Sequence, residues 1–202
     1  VQAGLAQNTY VPDDNFEQAL IDLGYDDTLD DSVLTANISS LTSLNISNLS
    51  ISDLTGIGGF TALTSLDCGT NQLSGLDVSA NTSLTNLYCK ANQLVTLDIS
   101  NNTSLTILEC EENQLTSLDL IANTALTYLW CGSNQLTSLD VSANTTLEDL
   151  RCGNNQLTTL DVSANTALTY LTCSNNNQLT TLDVSANTAL TNLYCHNNSL
   201  TS

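Results

Sequence analysis

The chain is almost without positive charge. Its 202 residues hold two basic side chains, Lys90 and Arg151, against 21 Asp and Glu, for a formal net charge of −19. Nucleic acid is therefore excluded as an expected partner, because phosphate binding needs a basic footprint. An anionic membrane surface would repel the chain. No apolar run approaches the roughly 18 residues of a membrane span, so no membrane insertion is expected. Histidine is nearly missing too: His196 is the single one. Nucleophile-and-base catalysis needs a partner for the nucleophile, and no G-x-S-x-G, phosphate loop or H-E-x-x-H occurs. The chain reads as non-enzymatic and without a cofactor. Apolar residues still make up 41% of it, which excludes wholesale disorder.

What the sequence has is repetition. Units begin at Leu63, Leu84, Leu105, Leu126, Leu147, Leu168 and Leu190, a 21-residue period broken once by an extra asparagine in Asn175-Asn176-Asn177. Each unit reads approximately L-T-x-L-x-C-x-x-N-Q and then L-T-x-L-D-V-S-A-N-T-x. Such regularity marks stacked supersecondary units. Both halves of a unit alternate apolar and polar residues, as in Leu66 and Cys68 or Leu76 and Val78, which predicts short strands with one buried face. Asn71 and Asn81 sit where the chain must turn inward, and stacked asparagines can satisfy the buried backbone of those turns. The expected fold class is a mostly β, α/β-repeat solenoid. It is a flattened right-handed coil with parallel strands on both sides, about 4.8 Å per unit, and a short N-terminal helical cap.

The repeat over residues 63–202 resembles bacterial leucine-rich repeats with two nested motifs, the IRREKO class. Upstream, Leu41, Leu44, Ile46, Leu49, Ile51, Leu54, Ile57 and Phe60 resemble an internalin-type repeat over residues 41–62. Residues 11–40, opening with Val11-Pro12-Asp13-Asp14-Asn15-Phe16, resemble the caps of secreted Bacteroidetes repeat proteins. The resemblance implies extracellular recognition or adhesion at a secreted or cell-surface location. In the cap, Asp14 and Glu17 have capping-box spacing, Phe16, Leu20 and Leu23 fall on one helical face, and Gly24 suits the position after the helix. Residues 1–10, with Ala3-Gly4-Leu5-Ala6 before Gln7, read as a signal remnant or disordered tail. The seventh repeat reads as truncated, as in a piece of a longer chain. The acidic stretch Asp26-Asp27-Thr28-Leu29-Asp30-Asp31 lacks EF-hand spacing and reads as a solvated cap loop.

All seven cysteines, at 68, 89, 110, 131, 152, 173 and 195, occupy one inward repeat position. A straight ladder cannot offer four thiolates to one tetrahedral zinc. Parallel side chains keep neighbouring Cβ atoms near ~4.8 Å, beyond the usual ~3.8 Å of a disulfide. Buried free thiols acting as small hydrophobes are expected.

The two sides of the coil differ in lettering. On the second-half side, Asp77, Asp98, Asp119, Asp140, Asp161 and Asp183 form one outward column beside Gly75, Thr96, Ser117, Ser138, Thr159 and Thr181. Hydrogen bonds to neighbouring hydroxyl and backbone groups are the expected offset to the carboxylate repulsion, with weak calcium binding as the alternative. Adjacent rungs approach the carboxyl spacing of retaining glycosidases, but a uniform open ladder gives neither a protonated partner nor a cleft. Ice binding through this Thr/Asp face is a further reading, opposed by the hydration of the charges. On the first-half side the rare residues beyond Phe60 collect: Tyr88, Tyr128, Trp130, Arg151, Tyr170 and Tyr194 are outward. Tyr, Trp and Arg are enriched at binding hot spots. This face is the candidate ligand-binding surface, for a protein or a polysaccharide, because aromatic platforms serve both. Drift on a tolerant surface, and a structural spacer projecting another domain, are the readings set against it.

Overall fold

The computed structural model describes residues 7–201. Each unit contributes a three-residue strand centred on leucine. After β1 (Asn8–Tyr10) and β2 (Ser32–Leu34) come β3 (Ser43–Asn45), β4 (Ser65–Asp67), β5 (Asn86–Tyr88), β6 (Ile107–Glu109), β7 (Tyr128–Trp130), β8 (Asp149–Arg151), β9 (Tyr170–Thr172) and β10 (Asn192–Tyr194). The last eight form one parallel sheet whose spatial order is the sequence order. Pairing is in repeat register: Leu66 faces Leu87, which faces Leu108, and Leu129 faces Leu150. This is the stacked coil that the repeat predicts.

Period-two alternation decides which side chains enter. The central leucines of β4 to β9 are fully buried, and so are Cys68, Cys89, Cys110, Cys131, Cys152 and Cys173 two positions on. All seven cysteines are free. Burial pushes the Cys68 and Cys131 thiols up to about 12 and Cys173 up to about 11. The thiols therefore stay protonated and act as apolar filler.

Two asparagine ladders wire the turns. Asn113 Nδ2 donates to the carbonyls of Cys89 and Cys110 at 3.1 Å each, and its Oδ1 accepts the Leu94 amide at 3.0 Å. Asn92, Asn134 and Asn155 repeat the pattern one unit apart. On the other edge, Asn123 Nδ2 donates to Ile99 and Asn102 carbonyls at 3.0 Å, while its Oδ1 is buried without a donor. The threonine of the L-T pair that opens a unit ties it to the preceding one. Thr106 Oγ1 donates to the Thr85 carbonyl at 3.1 Å, and Thr127 Oγ1 to that of Thr106 at 3.0 Å. The extra residue of the 22-residue unit is absorbed beyond the ladder, since Asn176 still bonds Cys152 and Cys173.

The second side of the coil departs from the expected sheet. Its Leu and Val residues point inward and its Asp column outward, as expected. Backbone pairing there, however, is a single bridge between Asp77 and Asp98. Each aspartate accepts the amide two residues on, Asp77 from Ser79 at 2.9 Å and Asp140 from Ser142 at 2.9 Å, as Asp67 at the end of β4 does from Gly69 at 3.1 Å.

The cap also differs in detail. Helix α1 (Asp14–Asp22) is capped by Asp13, whose Oδ1 accepts the Asn15 and Phe16 amides. The expected Asp14/Glu17 box is not formed. Glu17 is buried, and its Oε1 accepts the amides of Asp30 and Ser32, closing the acidic loop. Gly24 has φ 80°, as its place after the helix requires. Leu23 is exposed, whereas Phe16 and Leu20 are buried, and the Phe16 and Phe60 rings stack at 6.1 Å over the first coil. The expected tail over residues 1–10 does not hold at Asn8–Tyr10, which pair antiparallel with Ser32–Leu34; residues 1–6 lie outside the described residues. A second, four-residue helix, α2 (Thr35–Ile38), buries Ile38 beneath the cap.

Candidate ligand-binding face

Outward positions of the sheet come in two columns, the first and third residues of each strand. In β7 these are Tyr128 and Trp130; in β8, Asp149 and Arg151; in β9, Tyr170 and Thr172; in β10, Asn192 and Tyr194. Strands about 4.8 Å apart set side chains of adjacent units at stacking distance. The Arg151 guanidinium lies 4.0 Å from the Trp130 ring centroid and 4.7 Å from that of Tyr170. Tyr170 and Tyr194 follow at 5.6 Å between centroids, tilted by 41°. Trp130, Arg151, Tyr170 and Tyr194 thus make one continuous stack over four strands.

Arg151 is held in that place. Its Nε donates to Asp149 Oδ1 at 3.0 Å and its Nη2 to Oδ2 at 2.9 Å. The fork leaves Nη1 free of the pair and lays the guanidinium over Asp149, which is why this outward aspartate is only 8% exposed. The hydrogen bonds to Asp149 raise the Arg151 pKa further. Arg151 is charged at every physiological pH in any case.

The stack forms one wall of a cleft of about 450 Å³ that spans the rungs from Glu111 to His196. Its floor is the position after each cysteine: Gly132, Gly153 and Ser174. Its other wall holds Ser133, Asn154 and Asn175. These adopt positive φ, 54°, 54° and 59°, at the same repeat position. Asn175 Nδ2 donates to Asn154 Oδ1, and Asn197 Nδ2 to Asn175 Oδ1, each at 2.8 Å, so the amides line up along the coil. At one end, burial raises the Glu111 carboxyl above the usual range. At the other, His196 Nδ1 lies 3.0 Å from Ser174 Oγ. Two polar atoms in the cleft lining, Trp130 Nε1 and Glu111 Oε2, are buried without a partner.

Of the residues singled out from the sequence, Trp130, Arg151, Tyr170 and Tyr194 come together around this cleft. Tyr128 is outward and exposed but does not line the cleft. Tyr88 lies two strands away, its hydroxyl accepting from Asn86 Nδ2 at 3.0 Å. Sequence reasoning missed Glu111, Asn154, Asn175 and Ser174 as lining groups. The signal was the position after the cysteine, which reads Gly, Lys, Glu, Gly, Gly, Ser, His along the array and is small in three successive units beside the aromatics.

Ser174 is 4% exposed, and Glu111 is the one carboxylate lining the cleft. On the opposite side, the six aspartates are exposed. Hydrogen bonds from the serine two residues on lower the pKa of Asp77, Asp98, Asp140, Asp161 and Asp183. Among the described residues, no group of three or more His, Cys, Asp or Glu is placed to hold a metal ion, and no helix is long and apolar enough to cross a membrane.

A model of paired leucine-rich repeats matches residues 103–144 and 145–187, and a model of the LVIVD repeat matches residues 89–110. Internalin J of Listeria monocytogenes serotype 4b is 44% identical over 84 residues, 41% of this chain and 9% of that protein. The solved functional domain of internalin J, described as including a cysteine ladder, is 35% identical with a TM-score of 0.60, covering 98% of this chain and 54% of that one. A leucine-rich-repeat protein of Leptospira interrogans aligns at 25% identity and a TM-score of 0.67, over 71% of this chain and 39% of that one. Internalin C2 of Listeria monocytogenes shares the fold at 24% identity and a TM-score of 0.65, over 96% of this chain and 99% of that one. The chain thus spans a small part of internalin J and about half of its solved domain. The coil and its repeats are those of the leucine-rich-repeat fold, similar to the solved internalin domains.

Proposed function

We propose that the chain is a ligand-recognition or adhesion module, secreted or at the cell surface, that binds a protein or polysaccharide through the variable sheet face and performs no catalysis. The observation that carries this is the stack of Trp130, Arg151, Tyr170 and Tyr194 beside a cleft. The opposite face uses the same repeat with glycine, serine, threonine and aspartate in its two outward columns, so stacking alone does not call for aromatics. The nested 21-residue period and the helical cap fit the secreted, flavobacterial type of repeat protein that the sequence resembles.

The test is a screen of the protein against arrayed glycans and a phage-displayed peptide library. Any binding should weaken by roughly 2 kcal/mol or more in Trp130→Ala, the cost of losing a hot-spot side chain. Asp119→Asn and Thr159→Ala, on the opposite face, should leave it unchanged. Normal binding by Trp130→Ala, or loss of binding in the opposite-face variants, would overturn the proposal.

A further inference from the structure

The chemistry of the cleft lining narrows the ligand class, resting on the recognition reading above. The cleft is a trough rather than a flat patch. Along its floor the small residues Gly132, Gly153 and Ser174 lie between two large ones, Glu111 and His196, which close the ends. At about 450 Å³ it falls in the size range of sites for small or short oligomeric ligands. A stable protein interface instead needs a broad patch of about 800 Å² per partner.

No aliphatic side chain lines it. A peptide or lipid ligand would seek leucine, valine or isoleucine against its own aliphatic groups, and the chain keeps most of those residues inside the coil. The apolar surface offered to a ligand is ring surface: the exposed side of Tyr194 and the parts of Trp130 and Tyr170 that Arg151 leaves uncovered. Everything else is hydroxyl or planar and polar. Asn154 and Asn175 are held in line by their mutual hydrogen bonds, each amide presenting donors and an acceptor. Arg151 keeps Nη1 outside its pair with Asp149. Flat ring faces beside planar groups that both donate and accept match one kind of molecule: a ring with an apolar C–H face and a rim of hydroxyls. We propose that the trough is a subsite for an uncharged saccharide chain lying along the coil axis, stacked on the Tyr170–Tyr194 wall and hydrogen-bonded on its other edge by Asn154 and Asn175. The ligand is uncharged because an acidic glycan would meet Glu111 in the trough and a net charge of −19 around it.

Native gel electrophoresis through gels containing a soluble polysaccharide tests this. The probes are a β-1,3-glucan, a xyloglucan, a galactomannan and, as the acidic comparison, an alginate. Retardation by at least one of the three neutral polymers is expected. Tyr194→Ala removes an exposed side chain and Trp130→Ala an outward one, so both variants should keep the circular dichroism spectrum of the parent. Each should raise the dissociation constant by about thirtyfold, the factor of a hot-spot loss. Asp140→Asn should migrate as the parent does. Retardation by none of the neutral polymers, by alginate alone, or equally for parent and Trp130→Ala overturns the saccharide assignment. Peptides selected on the parent from a phage-displayed library and lost on Trp130→Ala would then show that the face recognises protein. Peptides and polysaccharides alike bound equally by parent and variant would remove the recognition reading as well.

Discussion

The two asparagine ladders look interchangeable in sequence, yet their bonding predicts different costs. Replacing Asn113 by alanine removes two side-chain bonds to the carbonyls of Cys89 and Cys110. Those carbonyls keep a second donor each, from Asn92 and Asn134. The buried Leu94 amide, by contrast, loses its acceptor. Two hydrogen bonds at about 0.5–1.5 kcal/mol and one stranded amide at about 1–3 kcal/mol give roughly 2–6 kcal/mol. Asn123→Ala also removes two bonds, but the Ile99 and Asn102 carbonyls retain the backbone amides of Asn102 and Leu105. It also removes a buried Oδ1 that has no donor. The net cost is then about 0–2 kcal/mol. Urea unfolding of both variants beside the parent, followed by circular dichroism, measures the difference. Asn123→Ala costing as much as Asn113→Ala would refute the assignment of roles. Against a typical stability of about 5–15 kcal/mol, the expected loss at Asn113 is large. It also breaks the stack between neighbours in an array whose units hold only one another.

Stability should fall on the alkaline side. Burial raises the folded-state pKa of Cys68 and Cys131 to about 12 and of Cys173 to about 11, while unfolded thiols ionise near ~8.5. The unfolded chain therefore holds fewer protons above that pH. The contribution is complete below ~8.5 and is lost as pH rises through the folded values, by up to about 1.4 kcal/mol per unit for each thiol. Urea midpoints measured from pH 7 upward should decline, and less steeply in Cys131→Ala; a flat profile would contradict the buried ladder. At Gly56, φ is 104° and an added Cβ would lie 2.5 Å from the Tyr10 carbonyl oxygen. Gly56→Ala should lower the melting temperature and loosen β1, and an unchanged melting curve would count against that close approach. Calcium titrated into the protein should give no sub-micromolar binding that Asp119→Asn abolishes, since the aspartates already accept backbone amides and stand open to solvent. A tight site in calorimetry would refute this.

Much of the coil could be read from the sequence because it is dictated locally. Alternation at Leu66 and Cys68 fixes inside and outside, and the asparagines stand where buried turns need donors. The missing second sheet was harder to see. Both sides carry the same period-two pattern, which fixes inside and outside but not whether neighbouring backbones pair. The capping of α1 by Asp13 rather than Asp14 was one residue away, and Glu17 turned inward to bond Asp30 and Ser32 instead. The proposed recognition face was visible as a concentration of rare residues, but not its shape. The stack through Arg151 needs register between units, and the trough depends on the smallness of Gly132 and Gly153 beside it. Positive φ at Ala91 and Glu112, as at Asn154, also escaped notice, because the repeat imposes that conformation on residues with no preference for it.

The repeat register has a consequence for how such a chain can change over time. The ladder bonds of a unit stay within it or run to its immediate neighbours, and the same atoms make them each time. Duplicating a unit therefore lengthens the protein without asking anything of the rest. Rewriting the two outward letters of a strand leaves the interior untouched. The 22-residue unit shows the tolerance at work: one asparagine more, and Asn176 still bonds Cys152 and Cys173. Length and lettering are independent variables here, so the reach of the surface and its specificity can be adjusted separately, one unit or one side chain at a time.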